Sequence, residues 1–148
     1  VLMGMLFNTV NAFLIGLWIF YFSPPEQYAR AWLLTPQFIL GTLLFFCGMI
    51  INIRSDSYIR SLRKPGDSQH YYPCGGMYRF VTSANYFGEL LEWLGFAVLT
   101  WSSAGVLFVF WTACNLVPRS DTIHKKYARD FPEEFARFRP KRIIPFIY

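Results

Sequence analysis

Apolar residues run along the chain in two long blocks and one still longer. The first extends from Val1 to about Phe22 and stops at Ser23-Pro24-Pro25-Glu26-Gln27; the second extends from about Trp32 to Ile51. The third, from about Asn85 to Val117, is too long for one upright helix and rather short for two. Ser102-Ser103-Ala104-Gly105 in its middle reads as a tight luminal turn, which predicts helices over 85–101 and 104–117. A single long tilted helix is the competing reading. The pattern predicts an all-α membrane protein, a multi-span helical bundle with about four transmembrane helices over 1–22, 32–51, 85–101 and 104–117.

Charge placement decides between three spans and four. Arg54, Arg60, Arg63, Lys64 and Arg79 lie between the second and third apolar segments, and Arg119, Lys125, Lys126, Arg129, Arg137, Arg139, Lys141 and Arg142 follow the last. Arg30 alone lies on the other side. Four spans put both basic segments on one face, which the positive-inside rule makes cytoplasmic; three would split them. The loop 52–82 and the tail 118–148 are therefore expected in the cytoplasm.

Polar residues interrupt the third block in a regular way. Asn85, Glu89 and Glu92 are spaced i, i+4 and i+7, so on a helix they share one face. A carboxylate at bilayer depth costs roughly 2.5–3.5 kcal/mol on insertion scales. Such a stripe faces a protein interior or a wet cavity and marks a site. Asn52, Asp56 and Arg63, at i, i+4 and i+11, form a second stripe continuing out of the second span until Lys64-Pro65-Gly66-Asp67 ends the helix. Pro73-Cys74-Gly75-Gly76 is a turn, and Phe131, Phe135 and Phe138 in the tail have helical spacing.

Composition supports the membrane reading. Of 148 residues, 54% are hydrophobic and 16% charged, more apolar surface than a soluble domain of this size can bury. The net charge of +5 is broken up by apolar spans and forms no stripe for nucleic acid. Cys47, Cys74 and Cys114 make neither a disulfide framework nor a metal signature, and no zinc or other metal site is expected. The chain opens on Val1 inside an apolar stretch and is read as the C-terminal part of a longer protein.

One cytoplasmic face thus collects Asn52, Asp56, Arg63, Asn85, Glu89, Glu92, Arg119, His124 and Tyr127. Carboxylates and amides suit ribose hydroxyls and a carboxamide; arginine and histidine suit phosphates. The expected ligand is a dinucleotide or similar anionic cofactor. No G-x-G-x-x-G follows a strand, so a helix bundle must hold it. Plainer readings exist: Asn85 and Glu89 as ties between helices, Asn52 and Asp56 as residues of a helix end, Glu92 as a structural partner. Most basic tail residues answer to topology and anionic lipid.

The run Gly48-Met49-Ile50-Ile51-Asn52-Ile53-Arg54-Ser55-Asp56 followed by Leu62-Arg63-Lys64-Pro65-Gly66 closely resembles the steroid 5-alpha-reductase family. So do Gly75-Gly76 leading into Ala84-Asn85-Tyr86-Phe87-Gly88-Glu89 and Glu92-Trp93, and Arg119, His124 and Tyr127 followed by Phe131-Pro132 and Ile144-Pro145-Phe146. The resemblance implies the C-terminal part of a seven-span fold in the endoplasmic reticulum membrane of a eukaryote. It implies NADPH-dependent reduction of the C4–C5 double bond of a 3-oxo-Δ4 steroid. Asn52, Asp56, Arg63, Asn85, Glu89, Arg119, His124 and Tyr127 would contact NADPH, and Trp93 would wall the steroid. The Glu–Tyr pair that polarises the 3-oxo group belongs to earlier spans. Departures from the family pattern are His70 in place of a tyrosine, Ile123 in place of the first tail histidine, and Lys126 in place of an aromatic. Other membrane reductases of enone or enoyl lipids, an isoprenylcysteine-type methyltransferase, and a non-catalytic membrane interaction protein are the alternatives. His124-Lys125-Lys126 lacks the His-Glu-Glu of the methyltransferases.

Overall fold

The computed structural model describes residues 2–63, 66 and 71–148, of which the helices form nearly all the regular structure. Helix α1 (Leu2–Leu17) continues through one π-helical turn, Trp18–Phe22. Ser23 ends it by bonding back, its N–H to the Trp18 carbonyl at 2.8 Å and its hydroxyl to that of Ile19 at 2.8 Å. Pro24 and Pro25 then bar continuation. After a 3-10 turn at Arg30–Leu34, Thr35 caps α2 (Pro36–Ser61) by accepting from the Phe38 N–H at 3.3 Å, with proline at the first helical position. Gly4–Phe22 and Pro36–Ser61 are long and apolar enough to cross a membrane.

Helix α3 (Ala84–Thr100) runs antiparallel to α2, and glycines set how closely they approach. A Cβ on Gly41 would stand 2.3 Å from the Leu99 nitrogen, one on Gly48 2.3 Å from that of Glu92, one on Gly88 2.5 Å from that of Asn52, and one on Gly95 2.3 Å from that of Phe45. Gly41, Gly48 and buried Ser55 on α2 repeat every seven residues, as do Gly88 and Gly95 on α3. Small residues at this period let two backbones lie side by side over several turns.

The predicted break inside the third apolar block is present, slightly earlier than expected. Trp101 takes the left-handed conformation (φ 48°) and Ser102 caps α4 (Ser103–Asp130), its Oγ accepting from the Gly105 N–H at 3.0 Å. Ser103, Ala104 and Gly105 are therefore helix rather than turn, and the single-helix alternative is set aside. Helix α4 also runs well past residue 117. Pro118 lies inside it, with the Ser120 hydroxyl on the Val117 carbonyl at 2.7 Å and the Thr122 hydroxyl on that of Pro118 at 3.2 Å. The first part of the expected tail is thus the end of a 28-residue helix.

Phe7 stacks on Phe108 and Trp111 (5.8 and 5.5 Å between ring centres), seating α1 on α4. At the opposite end of α3, the Tyr28 hydroxyl and Gln27 amide donate to the Thr100 carbonyl (2.7 and 3.1 Å), and the Trp32 indole to that of Leu99 (3.1 Å). These donors satisfy carbonyls that a helix end leaves open.

Beyond the apolar segments a small core forms from Tyr78, Val81 and Ala84 with Tyr58, Ile59 and Met77 against it. A short helix α5 (Pro132–Phe138) bears out the helical spacing of the tail aromatics. The chain then returns to bridge Val81 through Lys141, with Thr82 N–H to the Lys141 carbonyl at 2.8 Å and Lys141 N–H to that of Phe80 at 2.7 Å. The expected terminator Lys64-Pro65-Gly66-Asp67 lies outside the described residues except for Gly66, as does His70.

Candidate functional site

The antiparallel register of α2 and α3 brings the two predicted polar stripes together. The Asn85 amide donates to Oδ1 of Asp56 at 3.2 Å, and Oδ2 of Asp56 accepts from Arg60 at 2.7 Å. One turn along, the Asn52 amide faces the Glu92 carboxyl across the same crossing. Glu89 lies half-buried beside Trp93, within electrostatic reach of Asp56 and Arg119.

Glu89, Trp93 and Arg119 open onto one cleft of about 470 Å³ between α1, α3 and α4. Its walls include Phe7, Phe108 and Trp111, with the Trp93 ring edge-on to Phe108 at 4.4 Å between centres. Asn8, Thr112 and Asn115 add polar groups to this open, aromatic-walled cleft. Such a cleft takes a flat apolar body and a few oriented polar groups.

Arg63 and Tyr127 meet at a second, smaller cleft of about 160 Å³, together with Tyr71, Lys126 and Ile123. Arg63 lies just beyond the C-terminal end of α2 rather than on its helical stripe, and this places it against α4. Burial raises the Tyr127 hydroxyl above the ordinary phenol value, while the Arg63 charge opposes that shift.

His124 lines neither cleft. Its Nδ1 stands 3.4 Å from the Thr82 hydroxyl, and its ring packs edge-on to Phe135 at 4.8 Å. Burial lowers its pKa below the ordinary imidazole value, reinforced by the nearby Arg142 charge. Arg142 is itself held by Asp121 at 2.7 Å.

Several residues at the site were not singled out in the sequence. Tyr72 sits among Tyr127, Phe131 and Phe138 with its hydroxyl buried and unpartnered among the described residues; burial pushes its pKa up to about 12. Tyr78 is buried next to Asp56, Asn85 and Tyr127, and burial raises its hydroxyl well above the ordinary value. Nothing in the local pattern marks these two tyrosines among many. Asn8 and Asn115 did carry a signal, the same one as Asn85: an amide inside an apolar block.

A family model described as 3-oxo-5-alpha-steroid 4-dehydrogenase matches residues 1–148. The human protein named 3-oxo-5-alpha-steroid 4-dehydrogenase 1 is 44% identical over 146 residues, covering 99% of this chain and 54% of its own length. Steroid 5-alpha-reductase DET2 of Arabidopsis thaliana is 39% identical over 142 residues, covering 96% of this chain and 53% of its own length. The chain thus spans about half the length of the curated relatives it matches. With its motifs in the family's order and the whole chain matched, the protein belongs to the 3-oxo-5-alpha-steroid 4-dehydrogenase family.

Proposed function

We propose that the full protein reduces the C4–C5 double bond of a 3-oxo-Δ4 steroid with NADPH, and that this chain supplies the hydride side of the site. The observation that carries this reading is the convergence of Glu89, Trp93 and Arg119 on one aromatic-walled cleft of about 470 Å³. The relatives' names, 3-oxo-5-alpha-steroid 4-dehydrogenase and steroid 5-alpha-reductase, supply the reaction class.

The donors and acceptors present fit a nicotinamide dinucleotide. Arg63 and Lys126 bring two cations to the smaller cleft beside the Tyr127 hydroxyl, a set suited to phosphate. Asp56 and Asn85, with Asn52 one turn away, offer the carboxylate and amides that ribose hydroxyls pair with. Glu89 and Arg119 offer an acceptor and a donor to a carboxamide and its neighbouring phosphate. His124 supports this set from behind, through its packing against Phe135 and Thr82.

NADPH, when bound, supplies a hydride to the β-carbon of the enone. The chain's own residues orient and enclose. Glu89 would hold the carboxamide end, and Trp93 and Phe108 would present flat apolar walls to the steroid. Charge developing on the 3-oxo oxygen needs a donor, which the family resemblance assigns to a Glu–Tyr pair of earlier spans. The bundle crosses the membrane four times within this chain, as part of a seven-span fold, with the basic loop 52–82 and the tail cytoplasmic. In a eukaryote its membrane is that of the endoplasmic reticulum. A steroid then enters from the lipid and the cofactor from the cytoplasm.

The test uses the natural full-length protein in membranes, following NADPH-dependent reduction of a Δ4-3-ketosteroid by wild type and Glu89→Gln. Turnover that falls by at least about tenfold in the variant is expected. Absence of both turnover and NADPH binding in the wild type overturns the reading.

A further inference from the structure

Beyond α5 the chain closes into a hook that carries apolar side chains outward. Ile143 and Ile144 donate their N–H groups to the Tyr148 carbonyl (2.9 and 2.8 Å), and Tyr148 donates back to that of Ile144 at 3.1 Å. Ile143 is completely buried, whereas Phe146 is 78% and Ile147 75% exposed. Phe146 holds a left-handed backbone (φ 66°), which bulky residues rarely adopt, and its ring meets that of exposed Phe80 at 5.4 Å. The hook is tied to the residues just before α3, since Thr82 and Ser83 donate to the Lys141 and Arg142 carbonyls (2.8 and 3.1 Å). Exposed Arg79, Arg139 and Lys141 flank it, and among the described residues no carboxylate pairs with any of the three.

We infer that this hook is an interfacial anchor: Phe80, Phe146 and Ile147 enter the headgroup–acyl boundary of the cytoplasmic leaflet, and Arg79, Arg139 and Lys141 meet its anionic headgroups. The inference rests on the membrane crossing proposed above and not on the reductase reading. Helix α3 has 17 residues and is about 25 Å long, no longer than a hydrocarbon core of about 30 Å. With α3 across the membrane, its start cannot stand clear of the headgroups, and Phe80, four residues before Ala84, lies at their level. The ring contact with Phe80 puts Phe146 there too. Peptide groups that approach the apolar phase must be paired, and the bonds within 143–148 pair several of the hook's own. Aromatic and aliphatic side chains beside cations match this boundary, and the cytoplasmic leaflet is the anionic one. Three cations without carboxylate partners favour that lipid surface over a protein partner. The anchor would hold the cytoplasmic start of α3, and Asn85 with it, at a fixed height in the membrane.

The test places one nitroxide-labelled cysteine at a time in the full-length protein, its other cysteines replaced by serine: Phe146→Cys, Ile147→Cys, Glu133→Cys or Leu43→Cys. Collisions with oxygen and with a water-soluble nickel chelate report depth in vesicles of phosphatidylcholine with and without phosphatidylserine. With phosphatidylserine present, labels at 146 and 147 are expected about 5–10 Å into the headgroup–acyl boundary, and the label at 133, on α5, in water. Without phosphatidylserine the first two should lie shallower. Labels at 146 and 147 as open to nickel as that at 133 overturn the anchor. Labels shielded from both oxygen and nickel also overturn it, giving the patch to a protein cover. Immersion that does not change with phosphatidylserine overturns the role given to the cations. The label at Leu43, 64% exposed on α2, is expected deep in the acyl chains. A nickel-accessible Leu43 overturns the membrane crossing and the anchor with it, whereas a deep Leu43 beside water-exposed 146 and 147 overturns the anchor alone.

Discussion

The Asn85 amide donates to Asp56 across the α2–α3 crossing at 3.2 Å, joining the two polar stripes by a direct bond. The other oxygen of Asp56 is held by Arg60, whose side chain is 79% exposed. These two bonds should behave very differently. An exposed i,i+4 ion pair contributes at most about 1 kcal/mol, so Arg60→Ala should change stability little. Asn85→Leu removes a half-buried donor from a carboxylate and should weaken NADPH binding by about tenfold or more. Cofactor titration in membranes checks it; an Asn85→Leu protein that binds NADPH as tightly as wild type removes the pair from the site.

Gly48 and Gly4 should respond in opposite ways to alanine. A Cβ on Gly48 would meet the Glu92 backbone nitrogen at 2.3 Å, where no flexible side chain can give way. The α2–α3 pair must then separate, with a cost of about 1–3 kcal/mol by analogy with overpacked cores, and Asn52 moves away from Glu92. A Cβ on Gly4 meets nothing within 4 Å, so alanine there should stabilise helix α1 by roughly 0.5–1 kcal/mol. Thermal unfolding in detergent, followed by circular dichroism, distinguishes the two. Equal midpoints for both variants would refute the close-packed crossing.

The apolar blocks made the helices legible, and the i, i+4, i+7 spacing made Asn85 and Glu89 legible as one face. Pairing these residues with Asp56 needed the register, which the seven-residue glycine period contains but which only the backbone contacts make explicit. The helix break at Trp101 was readable to within a residue or two because serines clustered beside it. The run of α4 through Pro118 was not, since proline normally argues for a boundary. His124 lies three residues before Tyr127 and faces Thr82, while Tyr127 faces Arg63. The return of the C-terminus onto Val81 is a long-range contact with no local pattern to announce it.

That return should be a large contribution to the fold outside the apolar segments. Ile143 and Val81 are both completely buried, side by side with the backbone bonds from Thr82 and Ser83 to Lys141 and Arg142. Ile143→Ala should cost about 2–5 kcal/mol, whereas Ile147→Ala, 75% exposed, should cost far less. Limited proteolysis of the detergent-solubilised protein gives the readout: rapid loss of the tail in Ile143→Ala is expected. Equal protease resistance in the two variants would mean that the tail is held by something other than this packing.

The pH dependence of the same region should come partly from His124. Its ring is partly buried against Phe135, and the groups around it are Arg142, Asp121, Thr82 and the Lys141 carbonyl. Burial, then the Arg142 charge, lowers its folded pKa, while Asp121 opposes the shift. Unfolded, the imidazole titrates near the ordinary value of about 6.5. Below that value the unfolded chain binds a proton that the folded one resists, so this contribution to stability is present above about pH 6.5 and declines as pH falls towards the lowered folded pKa. Asp121 adds a loss of the same sign at lower pH, because Lys125 and Arg142 hold its carboxyl below the usual range and acid must protonate it. His124→Gln keeps a polar group opposite Thr82 and removes the titration. The wild-type thermal midpoint should therefore fall more steeply than that of His124→Gln between about pH 7 and 5.5, and parallel curves would show that His124 does not resist protonation in the fold.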